Sequence, residues 1–306
     1  MNRIYLAWFK LPFGKTNFGD ELSPFIVKKL TSAKIVFMPY KEDSVKKMLL
    51  LFTKLLYTRR VTVRGFFDIM RYYIDGKHSV IYAIGSIIKT NNYKKSIIWG
   101  SGIISKDEHI NYSVFHAVRG VHTQKRILEL GYNAPQVLGD PAVLLPLVYE
   151  VKFSKKKYTL GIIPHIAHQE EYLSKKYDKK IKVIDLTDPI EKVILDINSC
   201  EKTMCSSLHG IIVSHAYGIP SLWVNLSDTK LAGDNIKYAD YFSSVNIEEY
   251  LPLKNNMELR NICIENLFKN HRNRSLPPKG VISKLQNELL KCAPFEILEK
   301  YKKKIS

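Results

Sequence analysis

The most chemically loaded stretch of the chain runs from Thr203 to Pro220. Ser206 and Ser207 precede Leu208, His209 and Gly210, and the apolar run Ile211-Ile212-Val213 follows. This order predicts a strand, a tight turn and one short helix. A hydroxyl of Ser206 or Ser207 is expected to cap that helix by accepting from its first free amides. Gly218 suits its left-handed end, and Pro220 keeps it from resuming. A helix start carries unpaired N–H groups and the positive end of the dipole, so it suits an anion. His209 adds a group that exchanges a proton near neutral pH. The alternative is a helix start packed into a core, with His209 filling space.

Other candidates sit where strands are expected to end. Asn17, Gly19 and Asp20 fall between a strand at Ile4–Phe9 and a helix with Leu22, Phe25, Ile26 and Leu30 on one face. Ligands bind at such carboxyl strand edges in open α/β sheets. An Asx turn with a capped helix explains the same residues. Ser101 in Gly100-Ser101-Gly102 offers an anion cradle, though not a dinucleotide fingerprint. Arg119 closes a strand at Ser113–Val118 and can grip a carboxylate or phosphate with two prongs, or pair with a structural acid. His165 follows a strand at Tyr158–Ile163 as a lone basic group. Asp140 before Pro141 reads as a structural helix cap. His165, His168, Glu170 and Glu171 form no complete metal-ligand set.

These residues need a scaffold of alternating strands and helices. Continuous apolar runs such as Val80–Ile84 and Ser96–Trp99 mark strands covered on both faces. The expected fold is α/β, in two units: 1–150 and 151–280, with a helix and basic tail at 281–306. The 306 residues, 45% hydrophobic and 25% charged, suit two globular domains. A net charge of +18 calls for an anionic partner. No zinc-finger or RNP-like segment points to nucleic acid. Cys200, Cys205, Cys263 and Cys292 form no Cys-x-x-Cys pair, so free thiols in a reducing cytoplasm are expected. No signal peptide is expected, since the apolar run near Met1 is short and broken by Lys10. The run Met48–Phe52 is far below the ~18 residues that span a bilayer.

The segment Val45–Tyr73 stands apart. Val45, Met48, Leu49, Phe52, Leu55 and Leu56 recur at helical spacing. Lys46, Lys47, Lys54, Arg59, Arg60, Arg64 and Arg71 surround them, with Asp68 as the lone acid. A basic amphipathic helix of this kind suits an anionic membrane surface. Packing on the sheet accounts for the same periodicity.

Asn17–Ser23, Trp99–Gly102, Ala117–Gly120, Leu138–Ala142, Ile163–His165 and Ser206–Gly210, in this order, resemble the polysaccharide pyruvyl transferase family. The likeness covers about Asn17 to Phe242. It implies two Rossmann-like domains facing a cleft, as in GT-B glycosyltransferases. It also implies transfer of the enolpyruvyl unit of phosphoenolpyruvate to a sugar as a cyclic ketal. Arg119 and His209, with Leu208 beside it, are then expected to line the phosphoenolpyruvate site, together with Ser206, Ser207 and Gly210. His209 is the expected acid. Asp20 and Asn17 are expected to hold sugar hydroxyls, Asp20 also serving as a base, with His165 as a second acid–base candidate. Gly19 and Ser101 complete the expected binding residues. No cofactor or metal is expected.

Joined to the basic segment, this suggests a polyprenyl-diphosphate-linked acceptor and a cytoplasmic enzyme, peripheral on the inner face of the cell membrane. Two rivals use the same residues: a GT-B glycosyltransferase with a nucleotide-sugar donor, and a non-catalytic glycan- or membrane-binding protein.

Overall fold

The structure is a computed structural model that describes residues 2–42, 44–152, 155–227, 233–254 and 263–304. The first half contains β1 (Arg3–Ala7), α1 (Phe18–Leu30), β2 (Lys34–Met38), α2 (Val45–Tyr57) and α3 (Val63–Asp75). It continues with β3 (Val80–Tyr82), β4 (Ser96–Trp99), β5 (Val114–Ala117), α4 (Val121–Glu129) and α5 (Leu145–Val148). The second half holds β6 (Tyr158–Ile163), α6 (Gln169–Leu173), β7 (Ile181–Val183), α7 (Ile190–Asn198) and β8 (Cys200–Cys205). Then come α8 (Leu208–Ala216), β9 (Ser221–Asn225), α9 (Ile236–Ser244) and β10 (Leu253–Lys254). The chain closes with α10 (Ile264–Asn270), α11 (Arg272–Ser275), α12 (Val281–Lys291) and α13 (Glu299–Lys302).

Among the described residues the strands form two parallel sheets, each of five strands. The first has the order β2-β1-β3-β4-β5 and the second β7-β6-β8-β9-β10. Numbered within its own half, each sheet reads 2-1-3-4-5. The two halves therefore repeat one topology that the sequence does not announce. In such a sheet the connections leave β1 and β3, or β6 and β8, in opposite directions. The gap between those strand ends is the natural ligand site. Asn17 and Asp20, at the N-cap and in the first turn of α1, stand at this edge in the first half, and the loops after β6 and β8 carry His165, Ser206 and Ser207 in the second.

The halves share a core. Phe18, Leu22 and Ile26 of α1 belong to one buried cluster with Val143 and Leu144, Ile184 and Leu186, and Leu208, Ile211 and Ile212 of α8. Each fully buried aliphatic side chain contributes about 1.5–3 kcal/mol. Hydrogen bonds cross at the same place: Phe18 N donates to Leu186 O at 2.8 Å, and Thr16 Oγ1 to Thr187 O at 2.8 Å. The C-terminal segment packs back on the first half. Trp99 Nε1 donates to Leu289 O, Gln286 Nε2 to Val143 O, and Leu298 N to Leu30 O. The stretch 272–280, which reads as a linker, begins with α11, and Ser275 O lies 3.1 Å from His215 Nε2.

Segment 45–73 is two helices rather than one, because the chain turns at Arg59 with φ 56°. Met48, Phe52 and Leu55 pack on the core as sheet-covering residues do, with the rings of Phe52 and Phe66 at 5.4 Å. Leu49, Leu50, Leu56, Tyr57, Val63 and Phe67 are exposed. The pair thus has a core-facing apolar side and a second apolar set in solvent. Among the described residues no helix is long and apolar enough to cross a membrane.

Candidate active site

His209 is the second residue of α8, whose start is positioned by β8. Gly210 brings α8 close to β6, since a Cβ there would meet Ile163 Cγ2 at 2.8 Å. Ser207 is the N-cap residue, but its hydroxyl accepts nothing from the helix. Ser206 does not cap either: its Oγ accepts from His165 N at 2.9 Å and so ties the β6 and β8 loops together. The expected serine cap is therefore absent from α8.

α1 enters from the other half. Asn17 is its N-cap residue, yet it makes no side-chain cap; its Nδ2 donates to Asp20 Oδ2 at 2.7 Å instead. Gly19 lies directly against His209. A Cβ there would sit 2.4 Å from His209 Nδ1, so the close approach of the two helix starts requires glycine. Asp20 is close enough to His209 for the imidazole charge to favour its ionised form, but burial dominates and pushes its carboxyl up to about 6.

The other edge of the imidazole meets Asp140. His209 Nε2 lies 3.8 Å from Asp140 Oδ2, and neither atom has a hydrogen-bond partner among the described residues. Asp140 is a cap as its sequence suggests: Oδ1 accepts from Ala142 N at 2.9 Å at the start of a 3-10 turn, Pro141–Leu144. Its second oxygen is left over and faces His209 from a fully buried position. That role was missed because the cap alone explains Gly-Asp-Pro. His209 thus has two carboxylates of the first half near it: Asp140, facing Nε2 at 3.8 Å, and Asp20, within electrostatic reach.

His165 sits at the end of β6 with its Nδ1 accepting from Ala167 N at 3.2 Å. Burial, then the charges of Lys237, His168 and His209, drive it down to about 4, so it is neutral at pH 7. His168 is buried, while Glu170 and Glu171 are exposed, so these residues do not converge. No three candidate ligands for a metal come together among the described residues. Cys205 precedes the turn, but burial pushes its thiol up to about 12, so it is no nucleophile.

Arg119 and Ser101 are elsewhere in kind. Arg119 is fully buried. Its Nε donates to Asp240 Oδ2 at 3.0 Å, Nη1 to Ser86 Oγ at 2.7 Å and Nη2 to the Ile103 carbonyl. Asp240 also accepts from Thr123 N and Thr123 Oγ1. Gly120 permits this contact, since a Cβ there would overlap Asp240 O. The guanidinium pairs with an acidic neighbour and presents no open fork. Ser101 is also enclosed; it donates to Gly85 O and accepts from Ile87 N. The structure joins His209, Asp20, Asn17, Gly19, His165, Ser206, Ser207 and Leu208 at the meeting of the two strand-end gaps. It sets Arg119 and Ser101 within the walls.

Lys237 of α9 was not singled out from the sequence. It is half-buried, and burial, then the charge of Arg119, lowers its ammonium to about 8. Nothing around Lys237 in the sequence separates it from the many surface lysines of this chain.

The polysaccharide pyruvyl transferase family matches residues 17–228. Over 193 residues, 59% of this chain and 67% of the other, the sequence is 35% identical to an uncharacterised protein of Acanthamoeba polyphaga mimivirus. No solved structure matches.

Proposed function

Because this chain belongs to the polysaccharide pyruvyl transferase family, we propose that it moves the enolpyruvyl unit of phosphoenolpyruvate onto a sugar of a surface-glycan precursor. The product is a cyclic pyruvate ketal, and phosphate is released. The observation that supports this reading is the placing of His209 against Asp140 and near Asp20 where the two α/β halves meet.

His209 donates a proton to the methylene carbon of the donor, and C2 becomes cation-like. A sugar hydroxyl attacks C2 and gives up its proton, for which Asp20 is the base. Phosphate leaves, and a second hydroxyl of the same sugar closes the ring. One proton ends on carbon and one on the departing phosphate, which balances the two lost by the hydroxyls. Asp140 orients the imidazole through Nε2 and faces the charge that forms on it; a positioned acid of this kind contributes roughly 10²–10⁴-fold. Asn17 holds Asp20 in place and shares the acceptor side. His165, kept neutral, donates a hydrogen bond rather than a proton.

The acceptor in this reading is a polyprenyl-diphosphate-linked sugar at the inner face of an anionic membrane. Lys46, Leu50 and Lys54 recur at four-residue spacing on α2, all exposed, with Leu49 and Tyr57 beside them. Apolar side chains among lysines suit a headgroup layer.

Incubation with phosphoenolpyruvate and lipid-linked mono- and oligosaccharides tests the function. The expected result is phosphate release with pyruvate added to the glycan by mass spectrometry. Nucleotide release from a sugar nucleotide, with phosphoenolpyruvate untouched, would establish a glycosyltransferase instead.

A further inference from the structure

With Arg119 enclosed, a different group must face the anion. The charges that act on His165 come from Lys237, His168 and His209, all basic, and the charge that acts on Lys237 comes from Arg119. Like charges drawn together oppose one another's ionisation until an anion joins them.

The backbone under Lys237 is fixed from both sides. Tyr238 Oη donates to Ser206 O at 2.7 Å, and its ring stacks on Trp223 with centroids 4.0 Å apart. Asp240, on the next turn of α9, holds Arg119. Lys237 is therefore set between the Ser206–Ser207 turn of one half and Arg119 of the other. Its ammonium lies 5.3 Å from the Tyr238 ring and has no ion pair among the described residues. His168, nine-tenths buried, has both ring nitrogens without a partner among the described residues, and its ring lies 6.1 Å from that of His165.

We propose that Lys237, with His165 and His168, forms a phosphate-binding subsite beside His209. The identity of its ligand rests on the reading above: the subsite takes the phosphoryl group of phosphoenolpyruvate, which leaves the methylene end to His209 and C2 to the hydroxyl that Asp20 serves. A lysine supplies a compact point charge for this purpose.

Isothermal titration of the full chain with inorganic phosphate, phosphoenolpyruvate and a nucleoside diphosphate tests it, using wild type, Lys237→Met and Lys237→Arg. Lys237 is half-buried, and equal unfolding temperatures verify that each variant is folded. The expected result is at least about tenfold weaker phosphate and phosphoenolpyruvate binding in K237M, with recovery in K237R. In turnover, KM for phosphoenolpyruvate rises more than KM for the acceptor. Unchanged affinity in K237M overturns the subsite, as does a folded wild type that binds none of the three probes. Lys237-dependent phosphate binding without any turnover of phosphoenolpyruvate supports the subsite and overturns the assigned reaction. Lys237-dependent binding of the nucleoside diphosphate alone does the same.

Discussion

His209 Nε2 and Asp140 Oδ2 face each other at 3.8 Å, each without another partner among the described residues. A buried carboxylate oxygen left open beside an imidazole is costly for the fold alone. It becomes useful once a proton sits between them, because the acid then fixes the ring and faces its charge. Asp140→Asn keeps the cap through Oδ1 and removes the charge. The expected outcome is a fall in kcat of roughly 10²-fold or more with little change in KM for phosphoenolpyruvate, read by steady-state phosphate release. Full activity in this variant would leave Asp140 a cap and nothing else.

Asp20 carries the pH dependence. Its carboxyl is raised to about 6, by burial first, against an ordinary 3.8. Below about pH 6 the folded protein holds it neutral, and it cannot accept a proton from a hydroxyl. The acid side of kcat/KM is thus expected to fall as pH drops through 6. For stability the sign is opposite to that of a salt-bridged carboxylate. The ionised form is disfavoured in the fold, so the penalty is present above pH 6 and gone below the ordinary value. Asp20→Asn is expected to abolish turnover yet raise Tm by about 2 °C at pH 8, with most of that gain lost at pH 4. A lower Tm at pH 8 would contradict this.

Arg119 is a test of structure against binding. Removing it leaves Asp240 buried without its cation, which costs about 3–5 kcal/mol. Urea unfolding of Arg119→Ala is expected to show a loss of that size. Unchanged stability together with lost phosphoenolpyruvate affinity would return Arg119 to the donor site.

The exposed face of α2 bears on where the enzyme works. Leu49 and Leu50 stand 62% and 70% exposed among lysines. Burying one such side chain is worth about 1.5–3 kcal/mol. Leu49→Glu with Leu50→Glu is expected to weaken co-sedimentation with anionic vesicles at least tenfold and leave turnover of a soluble acceptor unchanged. Equal binding by the double variant would remove this face from membrane contact.

The strands and the loaded turn were legible because they rest on local chemistry: apolar runs, Gly218 at φ 71°, and Pro220 after it. Residues 158–163 form β6 as their pattern predicts. What stayed hidden depends on distant pairs. Ser206 looks like a cap until His165, 41 positions away, takes its hydroxyl. Arg119 looks like an open fork until Asp240, 121 positions away, closes it. Asp140 looks finished as a cap because one of its two oxygens suffices for that task. Lys237 has no motif at all; its place follows from Tyr238 and Asp240, which come after it on α9. The single helix expected at 45–73 broke at Arg59, whose left-handed backbone no periodicity reveals.

Turnover in heavy water tests the central claim most directly. If His209 delivers an exchangeable proton to the methylene carbon, each ketal formed from phosphoenolpyruvate in deuterium oxide carries one deuterium in its methyl group. His209→Ala, folded by circular dichroism, forms no such product. Pyruvate appearing on the glycan with an undeuterated methyl, or at a near-normal rate in His209→Ala, would contradict the account.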